Sequence, residues 1–130
     1  MSQNINMQTP LKRARGLGSA KDGTAHFIWQ RVTAIATALS GLWLLGMLLS
    51  LRSAEYAVVQ SLVADPINAS VLVAFLLGMF WHARLGLQVI IEDYVHTPLL
   101  AVLAQLAVLF ICALAAIAGV LAVLRIALGS

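Results

Sequence analysis

The sequence predicts an all-α membrane protein with three spanning helices, and three observations predict it. Hydrophobic residues make up 62% of the 130 positions, whereas soluble domains are about 45–50% apolar and a chain this short keeps much of its surface exposed. Charged residues are 10%, against about 25% in soluble domains, while disordered chains are apolar-poor. The charges are also clustered, leaving Val32–Leu51, Pro66–Ala83 and Tyr94–Leu124 without Asp, Glu, Lys or Arg.

A bilayer core about 30 Å thick needs about 20 apolar residues as helix. Val32–Leu51 supplies that length after a polar lead, and is read as a span because a cleaved signal has an apolar core of only about 7–15 residues. Arg52–Asp65 follows as a loop. Val71–Ile91 supplies a second span, with His82 and Arg84 inside it, and Leu99–Leu128 a third, long enough to tilt or emerge. The expected helices cover about 29–51, 67–93 and 98–126, within a domain over 26–130 that follows a basic segment over 1–25. Backbone groups in lipid must be satisfied internally, which favours helices here; the runs are longer than barrel strands and lack their alternation. Pro66 and Pro98 fall at helix starts, where a missing amide hydrogen costs nothing. The lone Cys112 cannot form an intrachain disulfide.

Five of the eight Lys and Arg residues precede the first span. By the positive-inside rule the N-terminus is cytoplasmic, or on the matrix side in a mitochondrion. The Arg52–Asp65 loop and Ser130 are then outside, and the Glu92–Pro98 turn is cytoplasmic. Residues 1–15 read as a solvated tail, with Gly16, Gly18 and Gly23 beyond. Ala25–Arg31 mixes aromatic and polar groups, and Trp29 suits a membrane interface.

The third span is rich in alanine, which lets membrane helices approach closely, so it reads as a packing helix; Gln105 is assigned no chemistry. The second span carries the information. His82 lies about 16 Å by helical rise from Asp93, near the middle of the bilayer. An ionisable ring there is a functional candidate: a haem ligand, a proton relay or an interhelical hydrogen bond. His82, Gly86, Val89 and Asp93 share one face. Gly86 leaves room either for a flat group such as haem or for a neighbouring helix. Arg84 projects about 200° from His82, toward another helix or polar ground. Tyr94 beside Asp93 reads as an interfacial pair, or as a donor and carboxylate able to bind a quinone carbonyl. His26 and His96 lie at other depths, so a haem on His82 would take its second ligand from another subunit.

The run His82-Ala-Arg-Leu-Gly-Leu-Gln-Val-Ile-Ile-Glu-Asp-Tyr-Val95 resembles the second-helix signature of the succinate dehydrogenase (complex II) hydrophobic membrane anchor subunit, D-type. Gly23-Thr-Ala-His26 with Gln30-Arg-Val-Thr-Ala34 resembles the start of that family's first helix. The resemblance implies three helices forming half of a two-subunit anchor bundle. The implied partners are a second anchor of cytochrome b556 type, an iron–sulfur subunit and a flavoprotein that carries FAD. It further implies haem b between the anchors and a ubiquinone site against the iron–sulfur subunit. Carried over, His82 is an axial haem ligand, Tyr94 the quinone donor with Asp93 beside it, and Arg31 and His26 border the haem propionates or the quinone pocket. The uncleaved-looking N-terminus and compact length favour a bacterial inner membrane over a mitochondrial one, with lipid and no nucleic acid as surroundings. The chain has no Gly-x-Gly-x-x-Gly motif and one cysteine, so it is not expected to be catalytic alone. A fumarate reductase anchor has the same architecture, and a small proton-coupled transporter is the alternative from a different class. Transporters usually carry paired internal repeats, and none is visible.

Overall fold

A computed structural model describes residues 20–53 and 55–129. The expected tail, with Lys12, Arg13, Arg15, Gly16 and Gly18, lies outside the described residues, as does Ser130. The described chain is all helical: α1 spans Ala20–Ser50, α2 Tyr56–Ala64, α3 Pro66–Tyr94 and α4 Pro98–Ala127. Three of these, over Gly23–Ser50, Pro66–Tyr94 and Pro98–Ala127, are long and apolar enough to cross a membrane.

α1 begins well before the apolar run, so its first turns carry the mixed Ala25–Arg31 segment as helix. The segment expected as a plain loop contains α2. Its sequence is apolar enough to pack: Val63 is buried against Ala69 of α3 and Val123 of α4, with Leu72, Val73, Leu76, Ile126 and Ala127 around them. Asp65 then ends α2 and starts α3. Its carboxylate accepts from the backbone N–H groups of Ile67 and Asn68 at 3.1 and 3.0 Å, and Pro66 occupies the first turn. Such a cap satisfies amides that have no helical partner. Asn68 ties three helices together, donating to the Leu62 carbonyl of α2 at 3.0 Å and accepting from Trp43 Nε1 of α1 at 2.9 Å.

α3 is the middle helix. α1 packs on one side of it and α4 on the other, with little or no contact between α1 and α4. The packing positions are small residues. A Cβ on Gly41 would lie 3.4 Å from the Phe75 ring, and one on Gly119 3.1 Å from Leu76 Cδ1. Leu85, the most buried hydrophobic residue among those described, is still 6% exposed. Long apolar faces on α1 and α4 are uncovered, as lipid or other membrane subunits require.

Candidate functional site

The α1–α3 seam is polar where an apolar seam would be expected. His26, Gln30, Thr33, Thr37 and Ser40 recur at alternating spacings of four and three, which keeps them on one side of a helix. Contacts show that this side meets α3 in antiparallel register. Gln30 lies opposite Gly86, Thr33 opposite His82, and Thr37 opposite Gly78. A Cβ added at Gly78 would come within 3.1 Å of Thr37 Oγ1, so glycine lets the two backbones approach here.

His82 is half-buried in this seam. Its Nδ1 lies 3.2 Å from Thr33 Oγ1. The Thr33 hydroxyl donates back to the Trp29 carbonyl at 2.8 Å, with the Gln30 carbonyl at 3.2 Å. Its one hydrogen is thereby engaged, so its lone pair accepts from His82 Nδ1–H. This network assigns the tautomer, with the proton on Nδ1 and the free lone pair on Nε2. Nε2 has no hydrogen-bond partner among the described residues. Thr33 is 7% exposed, so the bond is shielded from competing water.

The room beside Gly86 is bounded by the chain's own first helix: a Cβ there would sit 3.7 Å from Gln30 Nε2. The sequence left that face open to a flat group or a helix, and the contact found is a helix. Three buried polar atoms along the seam have no hydrogen-bond partner among the described residues: His26 Nε2, Gln30 Oε1 and Thr37 Oγ1. Buried polar atoms normally find a partner, so these are places where water, a ligand or a neighbouring chain would bond.

The start of α1, the end of α3 and the start of α4 lie at one end of the molecule. His26 lies in the first part of α1, and Arg31 is exposed with its guanidinium 4.7 Å from the Phe27 ring centroid. Tyr94 closes α3 and is 77% exposed, and Asp93 is also exposed. His96 Nδ1 lies 3.0 Å from the Tyr94 carbonyl in the turn. The structure therefore joins His82 to Thr33 but forms no hydrogen bond among His26, Arg31, Asp93 and Tyr94. Trp29 and Trp81 stand together beside the seam, with ring centroids 6.2 Å apart. They border an apolar groove of about 320 Å³ whose floor includes Thr33 and Gly78. Thr33 is the residue the sequence reading missed. The signal for it was the run of polar side chains at helical spacing within an otherwise apolar span. No group of three His, Cys, Asp or Glu that could hold a metal occurs among the described residues.

A profile for the succinate dehydrogenase/fumarate reductase transmembrane subunit matches residues 5–122. The chain belongs to that family. Succinate dehydrogenase hydrophobic membrane anchor subunits are among its relatives. That of Rickettsia bellii is 36% identical over 90 residues, covering 69% of this chain and 72% of the relative. That of Rickettsia conorii is 32% identical over 91 residues, with the same coverages of 69% and 72%. That of Rickettsia felis is 31% identical over 83 residues, covering 64% of this chain and 69% of the relative. The family accounts for three apolar helices whose outer faces are uncovered, since its members are transmembrane subunits of larger enzymes. This transmembrane subunit thus carries its polar seam inside an otherwise lipid-compatible body.

Proposed function

We propose that this chain is the membrane anchor of a succinate:ubiquinone oxidoreductase and holds haem b through His82 Nε2, together with a second anchor subunit. The Thr33–His82 hydrogen bond carries the reading. A metal-bound histidine almost always donates its other ring N–H to an acceptor, which fixes the ring and its tautomer. Thr33 does that here. A single imidazole would suffice for an iron that arrives already held by a macrocycle, as haem iron does. When bound, the haem supplies one-electron chemistry. The chain's own part is to hold the imidazole, keep its proton on Nδ1 and aim the Nε2 lone pair. His26 is about 10 Å along α1 from Thr33, so it is not placed to share a haem with His82, and a second protein ligand would come from the partner anchor.

The same end of the molecule is suited to a quinone headgroup. Tyr94 offers a phenol donor, with the Asp93 carboxylate next in the chain. The buried His26 Nε2 and Gln30 Oε1, without a hydrogen-bond partner among the described residues, offer further polar contacts near that end, and Arg31 follows Gln30 in the chain. Ubiquinone would be reduced there by electrons from an iron–sulfur subunit fed by an FAD-bearing flavoprotein. The excess of Lys and Arg before the first apolar run supports a cytoplasmic side for this end, in a bacterial inner membrane.

The decisive experiment is the reduced-minus-oxidised spectrum of the purified complex carrying His82→Ala or His96→Ala. The first variant is expected to lose the haem bands and the second to keep them. Full haem content in the His82 variant would refute the ligand assignment.

A further inference from the structure

The other side of α3 holds an arginine whose charge is not neutralised. Arg84 follows His82 by two residues, so it leaves the helix about 200° away at nearly the same depth. It is half-buried, and its guanidinium stands 5.8 Å from the Trp81 ring centroid. It lines a cavity of about 90 Å³ with Gln88 of α3 and Gln105 of α4. Among the described residues no carboxylate pairs with it and no acceptor is hydrogen-bonded to it. At about 30 Å³ per molecule the cavity has room for about three waters, and its lining is polar enough to bind them. Gln88 donates to Glu92 Oε1 at 2.9 Å, so a polar ladder climbs from Arg84 to the end of the helix.

A guanidinium stays protonated at physiological pH. A cation inside a span is costly and marks function by default. Here the small polar cavity makes it tolerable without a counter-charge, so its field reaches across α3 toward His82. We propose that Arg84 is a redox-tuning residue, whose charge stabilises the reduced form of the haem held by His82. The inference rests on the haem reading above. Reduction adds one electron, supplied by a reduced iron–sulfur cluster, and needs no bond or proton change. A positive charge favours the form that has gained the electron. At an effective dielectric of about 20, a unit charge on the order of 10 Å away shifts a one-electron equilibrium by about tenfold. That is about 59 mV in midpoint potential.

The test is a potentiometric titration of the haem absorption bands in the purified complex. Arg84→Gln is expected to keep the spectrum and lower the midpoint by about 59 mV, and Arg84→Lys to stay near the parent value. A haem-containing Arg84→Gln complex with an unchanged midpoint would overturn the proposal, as would a Lys variant shifted as far as the Gln variant. A parent complex without haem bands would instead refute the haem reading itself. If Arg84→Gln loses haem, Gln105→Glu decides. It places a carboxylate beside the guanidinium and should lower the midpoint similarly, and an unchanged value there overturns the proposal.

Discussion

Replacing Thr33 with valine keeps the volume of the side chain and removes its hydroxyl. In the parent chain that hydroxyl is 3.2 Å from His82 Nδ1 and 2.8 Å from the Trp29 carbonyl. Its loss leaves an imidazole N–H without an acceptor in a seam where Thr33 is only 7% exposed. Two magnitudes compete. Interhelical hydrogen bonds in membrane proteins average about 0.6 kcal/mol, so the α1–α3 pair should survive. Removing the hydrogen-bond partner of a metal-bound histidine typically costs 10–100-fold in affinity, or about 1.4–2.7 kcal/mol. Haem retention should therefore fall far more than helix packing. The assay is transfer of haem from the purified complex to an excess of apomyoglobin, followed by absorbance. Thr33→Val should release haem about 10–100-fold faster than the parent, assuming association is little changed. Thr33→Ser, which restores the hydroxyl, should behave like the parent. Equal release from the valine variant and the parent would refute the claim that Thr33 positions the ligand.

Three further outcomes are expected. Tyr94→Phe should lower ubiquinone reduction by roughly five- to 150-fold, the loss of one hydrogen bond worth about 1–3 kcal/mol, while reduction of an artificial dye by the hydrophilic subunits is unaffected; unaltered quinone kinetics would return Tyr94 to an ordinary interfacial role. Gly78→Ala and Gly119→Ala should each destabilise the subunit, by up to about 1–3 kcal/mol in denaturation assays. Each added methyl meets a side chain of the facing helix at 3.1 Å, Thr37 Oγ1 at Gly78 and Leu76 Cδ1 at Gly119. A reporter fused after Ser130 should be active only on the outer side of the membrane, and cytoplasmic activity would contradict the proposed orientation.

The spans were legible because bilayer thickness demands long uncharged runs, and the runs around Trp43, Leu77 and Leu114 are conspicuous in one dimension. Pro66 and Pro98 marked helix starts for a local reason, the missing amide hydrogen. His82 stood out because an imidazole in an apolar span is costly anywhere. The rotation of the helices was much less legible. In lipid, outward and inward faces are both apolar, so the usual contrast between a buried stripe and a wet one disappears. For that reason the side of α3 bearing Gly86 read as open, and only the packing showed Gln30 against it. The helix Tyr56–Ala64 escaped notice because nine residues are too few to make a period, and its packing on Val123 links positions far apart in the chain. The pairing of Thr33 with His82, 49 residues apart, and the cavity joining Arg84 to Gln105 were likewise settled only when the helices came together. Residue types and depths follow from the order of amino acids, whereas the partner of each polar group depends on helix register and rotation, which only side-chain packing between helices can select.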